Sequence, residues 1–209
     1  MSAEPLRAVD GRVPGRRGRA TRDKLLKATT ELLTKRSYRD LTVVEIAKRA
    51  RTSTATFYQY FADVEAALAE LAHELAEEGP RLVDIINAAK WRTAAYEPAL
   101  ALVDAFIDLW ERHRAILRVV DLATAEGDLR FQNIRTHLLS QVTDALRDAI
   151  VKASDGKAEP RAQAAALVSL LAHVAEHRYG FEFWGIRLDD MRRSTARLVA
   201  WGVTEREPS

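Results

Sequence analysis

The chain has 209 residues, 47% of them hydrophobic and 30% charged, an ordinary globular composition sufficient for one large or two small domains. It has no cysteine, which excludes disulfides, thiolate metal sites and a cysteine nucleophile. No apolar run reaches the about 18 residues of a spanning helix, and the basic N-terminus lacks the apolar stretch of a signal peptide, so no membrane association and a cytoplasmic location are expected.

The net charge of +2 hides a division. Residues 1–62 carry 14 Lys and Arg against 6 Asp and Glu, while the rest carry 18 against 24. A basic head on an acidic body is expected to meet a polyanion.

In chain order, residues 1–19 are rich in Gly, Pro and Arg and predict a flexible basic arm. Its run Arg16-Arg17-Gly18-Arg19 suits phosphate or minor-groove contact. A first helix is expected over 21–36, with Leu25, Leu26, Leu32 and Leu33 facing inward. Thr42 and Glu45 have capping-box spacing and open a second helix that stops near Ala50. Ser53 caps a short third helix through Tyr60, and Asp63 caps a fourth over 64–78 before Gly79-Pro80. Residues 81–90 are one further segment or a continuation of the fourth helix, and helices are expected over 96–113, 114–123, 128–152, 159–178 and 189–203, with 179–188 as an aromatic connection. Nothing alternates as a strand does, so the fold class is all-α.

Two short helices joined by about three residues, the second of them polar, make a helix-turn-helix. In the stretch RTSTATFYQYF, Phe57 and Phe61 are four apart and suit the core. The remaining residues are left for DNA. Ser53, Thr54, Thr56, Tyr58 and Tyr60, with Thr42 on the preceding helix, offer hydroxyls to phosphate. Gln59 and Thr54 can reach base edges, and Ala55 can touch a thymine methyl.

The run LTVVEIAKRARTSTATFYQYFADVEAAL resembles the N-terminal domain of TetR-family transcriptional regulators, whose recognition helix ends in a run like Thr56-Phe57-Tyr58-Gln59-Tyr60-Phe61. The likeness covers about residues 20–70. It implies a helix-turn-helix domain over 20–62 and a helical ligand-binding and dimerisation bundle over 63–209. It further implies a homodimer on a near-palindromic operator, released as a repressor by a small molecule, and no enzyme. Three positions depart from the family pattern. Arg51 stands where the inter-helix turn usually has Gly, Ser37 where Gly often precedes the tyrosine, and Val64 where a Lys commonly opens the fourth helix. Lys48, Arg49 or Arg51 are candidates to replace that lysine.

Trp91, Phe106, Trp110, Phe131, Tyr179, Phe183 and Trp184 are candidates to line a cavity between bundle helices, with Glu176 as a polar anchor. The absence of a strong charge among them predicts a hydrophobic or amphipathic effector. His173 and His177 are four apart and point one way, but no third metal ligand is evident beside them, so neither metal nor other cofactor is expected. No nucleophile elbow or phosphate loop is present; a helical enzyme or a protein-binding scaffold without DNA binding is the alternative. The dimer is expected to form through 159–178 and 189–203. Ala162, Ala165, Ala166 and Ala172 make one side smooth, and Leu170, Leu198, Val199 and Trp201 pack across the seam.

Overall fold

The computed structural model describes residues 15–154, 156 and 159–206. Within them the chain is helical throughout, as expected. The elements are α1 (Arg16–Leu33), a 3-10 turn (Tyr38–Asp40), α2 (Val43–Arg49), α3 (Thr54–Tyr60), α4 (Val64–Ala76), α5 (Gly79–Ala88), α6 (Tyr96–Ala125), α7 (Leu129–Ala153), α8 (Pro160–Glu182) and α9 (Leu188–Thr204). The chain forms two compact units. The first runs to Glu74 and takes in Ala115–Gln132; the second comprises Leu75–Arg114 and Asn133–Ser209. The expected division at 62/63 therefore differs from the packing, because α4, α6 and α7 each contribute to both units.

In the first unit α1 packs on α2 and α2 on α3, with Leu25, Leu26, Ala28, Thr29 and Leu33 of α1, Ile46 and Ala47 of α2 and Phe57 of α3 buried. Arg22 lies on the same stripe and is almost fully buried. Its guanidinium pairs with Glu70 and sits 5.6 Å from the Phe61 ring centroid, tying α1 to α4. An arginine one turn before Leu25 and Leu26 already stands on the apolar face, a signal the sequence reading passed over. The flexible arm needs correction: Arg16, Arg17 and Arg19 form the first turn of α1, which begins after Gly15. Residues 1–14 of the expected arm lie outside the described residues.

In the second unit, Leu102, Val103, Phe106, Leu109 and Trp110 of α6 are buried, as are Val142, Leu146 and Ile150 of α7. Helix α8 adds Ala164, Val168, Leu171 and Ala175, and α9 adds Ala196, Val199, Ala200 and Val203. Helices α8 and α9 pack on each other. At Gly202 an added Cβ would lie 2.7 Å from a Leu167 methyl, so the absence of a side chain permits that approach. Bidentate pairs brace the surface: Arg192 with Asp104 at 2.6 and 2.7 Å, and Arg112 with Glu78 at 2.9 and 3.1 Å.

Three boundaries differ from expectation. Gly79-Pro80 opens α5 instead of breaking the chain, because proline fits the first helical turn where its missing N–H is not needed. The segments 96–113 and 114–123 are one helix, and the expected break is a kink at His113, whose φ and ψ are −114° and 16°. Helix α8 continues past 178 to Glu182 and stops at Gly185, in a left-handed conformation with φ 72°.

Candidate functional site

The helix-turn-helix is assembled by local hydrogen bonds. Thr42 Oγ1 accepts the Glu45 N–H at 3.3 Å and donates to Glu45 Oε2 at 2.9 Å. The Thr42 hydroxyl, and after it Arg36, hold the Glu45 carboxyl below the usual carboxylate range. Helix α2 ends in a Schellman turn, with the Thr52 N–H donating to the Ala47 carbonyl at 2.9 Å and the Arg51 N–H to the Lys48 carbonyl at 3.2 Å. Arg51 has φ 56°, so this arginine holds the left-handed conformation that family members assign to glycine. Ser37 has an ordinary φ of −63° and accepts the Arg39 N–H at 3.4 Å, so no glycine is required there. Ser53 Oγ then accepts the Thr56 N–H at 3.1 Å and starts α3. Asp63 Oδ1 accepts the Ala66 N–H at 2.6 Å and starts α4, as its position predicted.

Helix α3 has one fully buried side chain, Phe57, whose ring lies 5.4 Å from that of Phe61 and 5.8 Å from that of Tyr58, the latter edge-on. Thr54, Ala55, Tyr58 and Gln59 are exposed, and Tyr60 is half-buried. These five share the outward sides of one helix, the arrangement read from the sequence. The remaining hydroxyls are less free. Thr42 is occupied by Glu45, and Ser53 and Thr56 face each other at 2.9 Å across the cap. Their oxygens first serve the helix ends.

Val64 is buried, so the first position of α4 presents no cation. Among its candidate replacements, Arg49 donates to Glu31 Oε2 at 2.6 Å, while Lys48 and Arg51 are exposed. A shallow hollow between α1 and the end of α2 is lined by Lys24, Lys27, Arg49 and Arg51. Lys24 and Lys27 were not singled out in the sequence. Their three-residue spacing on the exposed side of α1 was the available signal.

The candidate effector residues differ in burial and in the unit they join. Phe106 and Trp110 are buried core of the second unit, and Trp91 is buried with its Nε1 donating to the Ile86 carbonyl at 2.9 Å. Phe131 is core of the first unit. Phe183 is 91% exposed and Trp184 75%, and Glu176 is also exposed. Phe183 and Trp184 follow directly on the extension of α8 and are exposed there. Tyr179 is held otherwise, its hydroxyl 2.9 Å from Glu111 Oε2 and its ring 4.3 Å from the buried Arg178 guanidinium. Two residues of the expected dimer seam need correction. Ala172 and Val199 are buried within the subunit, while Ala162, Ala165, Ala166, Leu198 and Trp201 are exposed. Glu176, not considered with His173 and His177 in the sequence, lies beside them, with one potential ligand atom of each residue within 4.8 Å of the others.

Comparison with known proteins agrees with this geometry. Residues 25–71 match the bacterial regulatory proteins of the tetR family, and residues 82–209 match the tetracyclin repressor-like C-terminal domain. An uncharacterised HTH-type transcriptional regulator of Mycobacterium tuberculosis (strain H37Rv) is 37% identical over 90 residues, 43% of this chain and 42% of that protein. The chain thus matches less than half the length of this curated relative. Among solved structures, the fatty acid degradation regulator FadR from Bacillus halodurans superposes with a TM-score of 0.66 at 20% identity, covering 90% of this chain and 97% of its own. FadR from Bacillus subtilis, solved in complex with stearoyl-CoA, gives 0.67 at 16% identity, covering 86% and 98%. At such identities these two show the fold alone. With both of its parts matched and its polar α3 presented from a helix-turn-helix, the chain belongs to the TetR family of DNA-binding transcriptional regulators.

Proposed function

We propose that this regulator is a repressor that binds a near-palindromic operator as a homodimer and leaves it when a small hydrophobic or amphipathic effector binds the second unit. The observation that carries the reading is the division of α3, with Phe57 buried on one side and Thr54, Ala55, Tyr58 and Gln59 exposed on the others. A helix so divided lies in the major groove with Gln59 and Thr54 at base edges and Tyr58 at phosphate. Lys24, Lys27, Lys48 and Arg51, with Arg16, Arg17 and Arg19, supply backbone attraction in place of the lysine absent at Val64. One recognition helix reads only a few base pairs, and a two-fold dimer doubles that length. Ala162, Ala165 and Ala166 on α8, with Leu198 and Trp201 on α9, supply an exposed surface for the second copy.

The stearoyl-CoA bound by the Bacillus subtilis neighbour in fold supports an amphipathic class of effector. Because Phe106 and Trp110 are close-packed, the effector selects a conformation in which the second unit opens, and its differential affinity for that state drives release. Such a protein acts in the cytoplasm, and no helix among the described residues is long and apolar enough to cross a membrane.

The test is a gel shift with the full chain and the DNA upstream of its own gene, followed by addition of long-chain acyl-CoA. Retardation that competitor DNA of unrelated sequence does not abolish, and that the acyl-CoA reverses, is the expected result. Retardation equal on every sequence would contradict operator reading, and retardation insensitive to acyl-CoA would contradict the effector class.

A further inference from the structure

Helix α8 exposes His173, Glu176 and His177 on one side. Spacings of three and four residues place all three on neighbouring turns. The imidazole centroids are 4.1 Å apart and their planes inclined by 30°. His177 Nδ1 lies 3.2 Å from the carbonyl oxygen of His173. In the Nδ1–H tautomer this contact leaves Nε2 with the lone pair, the way metal-bound histidines are commonly oriented, while the Glu176 carboxylate lies on the Nδ1 side. The Glu176 carboxylate lies 3.6 Å from the same ring, and among the described residues no ion pair links the three to any residue outside the group. The stripe beside them is small, with Ala166 and Ser169 before and Gly180 after. Nothing within the subunit lies within 4 Å of where a Gly180 Cβ would stand.

We propose that His173, Glu176 and His177 form a binding site for a divalent transition cation of the zinc class. Two imidazole nitrogens and one carboxylate oxygen are the donor set such ions favour, whereas magnesium and calcium favour oxygen alone. Metal–ligand bonds of about 2.0–2.2 Å require the three donor atoms to close to roughly 3.4 Å of one another in a tetrahedral site. They now lie within 4.8 Å, and side-chain rotations at exposed positions suffice to close the difference. Three protein ligands leave a fourth position for water or an outside ligand. The site uses no residue of α1, α2 or α3, and it shares the side of α8 that carries Ala166 of the proposed dimer seam.

The full chain, freed of metal with a chelator, is titrated calorimetrically with zinc sulfate. Saturable binding of one zinc per chain is expected. His173→Ala, His177→Ala and Glu176→Gln should each weaken it by at least about tenfold, the lower end of what losing even a supporting partner costs. His137→Ala, on α7, should leave it unchanged. Melting and sedimentation without metal should be the same for all four variants and wild type, so that a loss of zinc is not a loss of fold or of the dimer. Cobalt added to wild type should give visible absorption bands that zinc abolishes, a readout that needs no variant. The site is refuted if wild type takes up no zinc or if the His173→Ala/His177→Ala double variant binds as wild type does. Full binding by Glu176→Gln would reduce the group to a histidine pair and sink the three-ligand site.

Discussion

Helices α3 and α8 both present a polar side outward, and they are held in opposite ways. Helix α3 has 7 residues, one Ser53 cap and one fully buried ring, Phe57. Helix α8 has 23 residues, a Glu159 cap that accepts two N–H groups, and buried side chains on every turn from Ala164 to Arg178. In the short helix, the residues that set its position lie next to those that meet DNA, so stability and recognition are separated by single positions. The long helix is held redundantly, which leaves its exposed side available to the second copy and to the proposed ion.

The first way to break this comparison is to remove the one anchor. Phe57→Ala should destabilise the first unit by about 3–5 kcal/mol, the cost of emptying a buried aromatic site. Urea denaturation and a gel shift should fall together. A variant that keeps wild-type stability would mean that α3 is positioned by something other than this ring. On α8 the reverse holds: Ala166→Arg should leave the melting curve of the monomer unit intact while abolishing the dimer in sedimentation and, with it, tight operator binding. An arginine variant that still dimerises would move the seam away from this stripe.

Smaller effects sharpen the same contrast. Ser53→Ala removes the only side-chain cap of α3 and should cost about 1 kcal/mol. Removing Glu159 from the far longer α8 should shift the midpoint less, and equal shifts in chemical denaturation would contradict the contrast. The smallest effect is a pH dependence at the α6 kink. Burial, and then Arg112, lower the His113 pKa below its ordinary 6.5, against an opposing pull from Glu78. The unfolded chain therefore takes up this proton first as pH falls, and stability drops between about pH 6.5 and the lower folded value. Above that window both states are neutral and nothing changes. Glu78, held low by Arg112, adds a loss only below the ordinary glutamate range. Melting temperatures from pH 8 to 5 should fall less in His113→Gln than in wild type.

What the sequence made legible is what acts over four residues or fewer. Thr42, Ser53 and Asp63 cap helices that begin one residue later, and Phe57 and Phe61 face inward because their spacing requires it. Arg51, which stands where the family's turn usually has Gly, has φ 56°, the left-handed backbone that favours glycine. The start of α1 was missed because Gly15 caps it without a side chain, and glycine and arginine there read as a mobile arm. The burial of the effector candidates was illegible for a different reason. Aromatic identity records neither which side of a helix a ring occupies nor which unit it joins, so buried Phe131 and exposed Phe183 read alike. Glu176 was read toward a cavity, although its spacing to His173 and His177 already placed it with them.

The central claim is that the exposed side of α3 reads bases, and a sequence selection from randomised duplexes tests it most directly. Wild type and Gln59→Ala are compared in parallel, with melting curves as the control for folding. The account predicts a near-palindromic motif for wild type. For Gln59→Ala it predicts unchanged melting and relaxed preference at one symmetric pair of positions, with the lost discrimination worth about 1–3 kcal/mol per base contact. An identical motif at identical affinity from both proteins would contradict it.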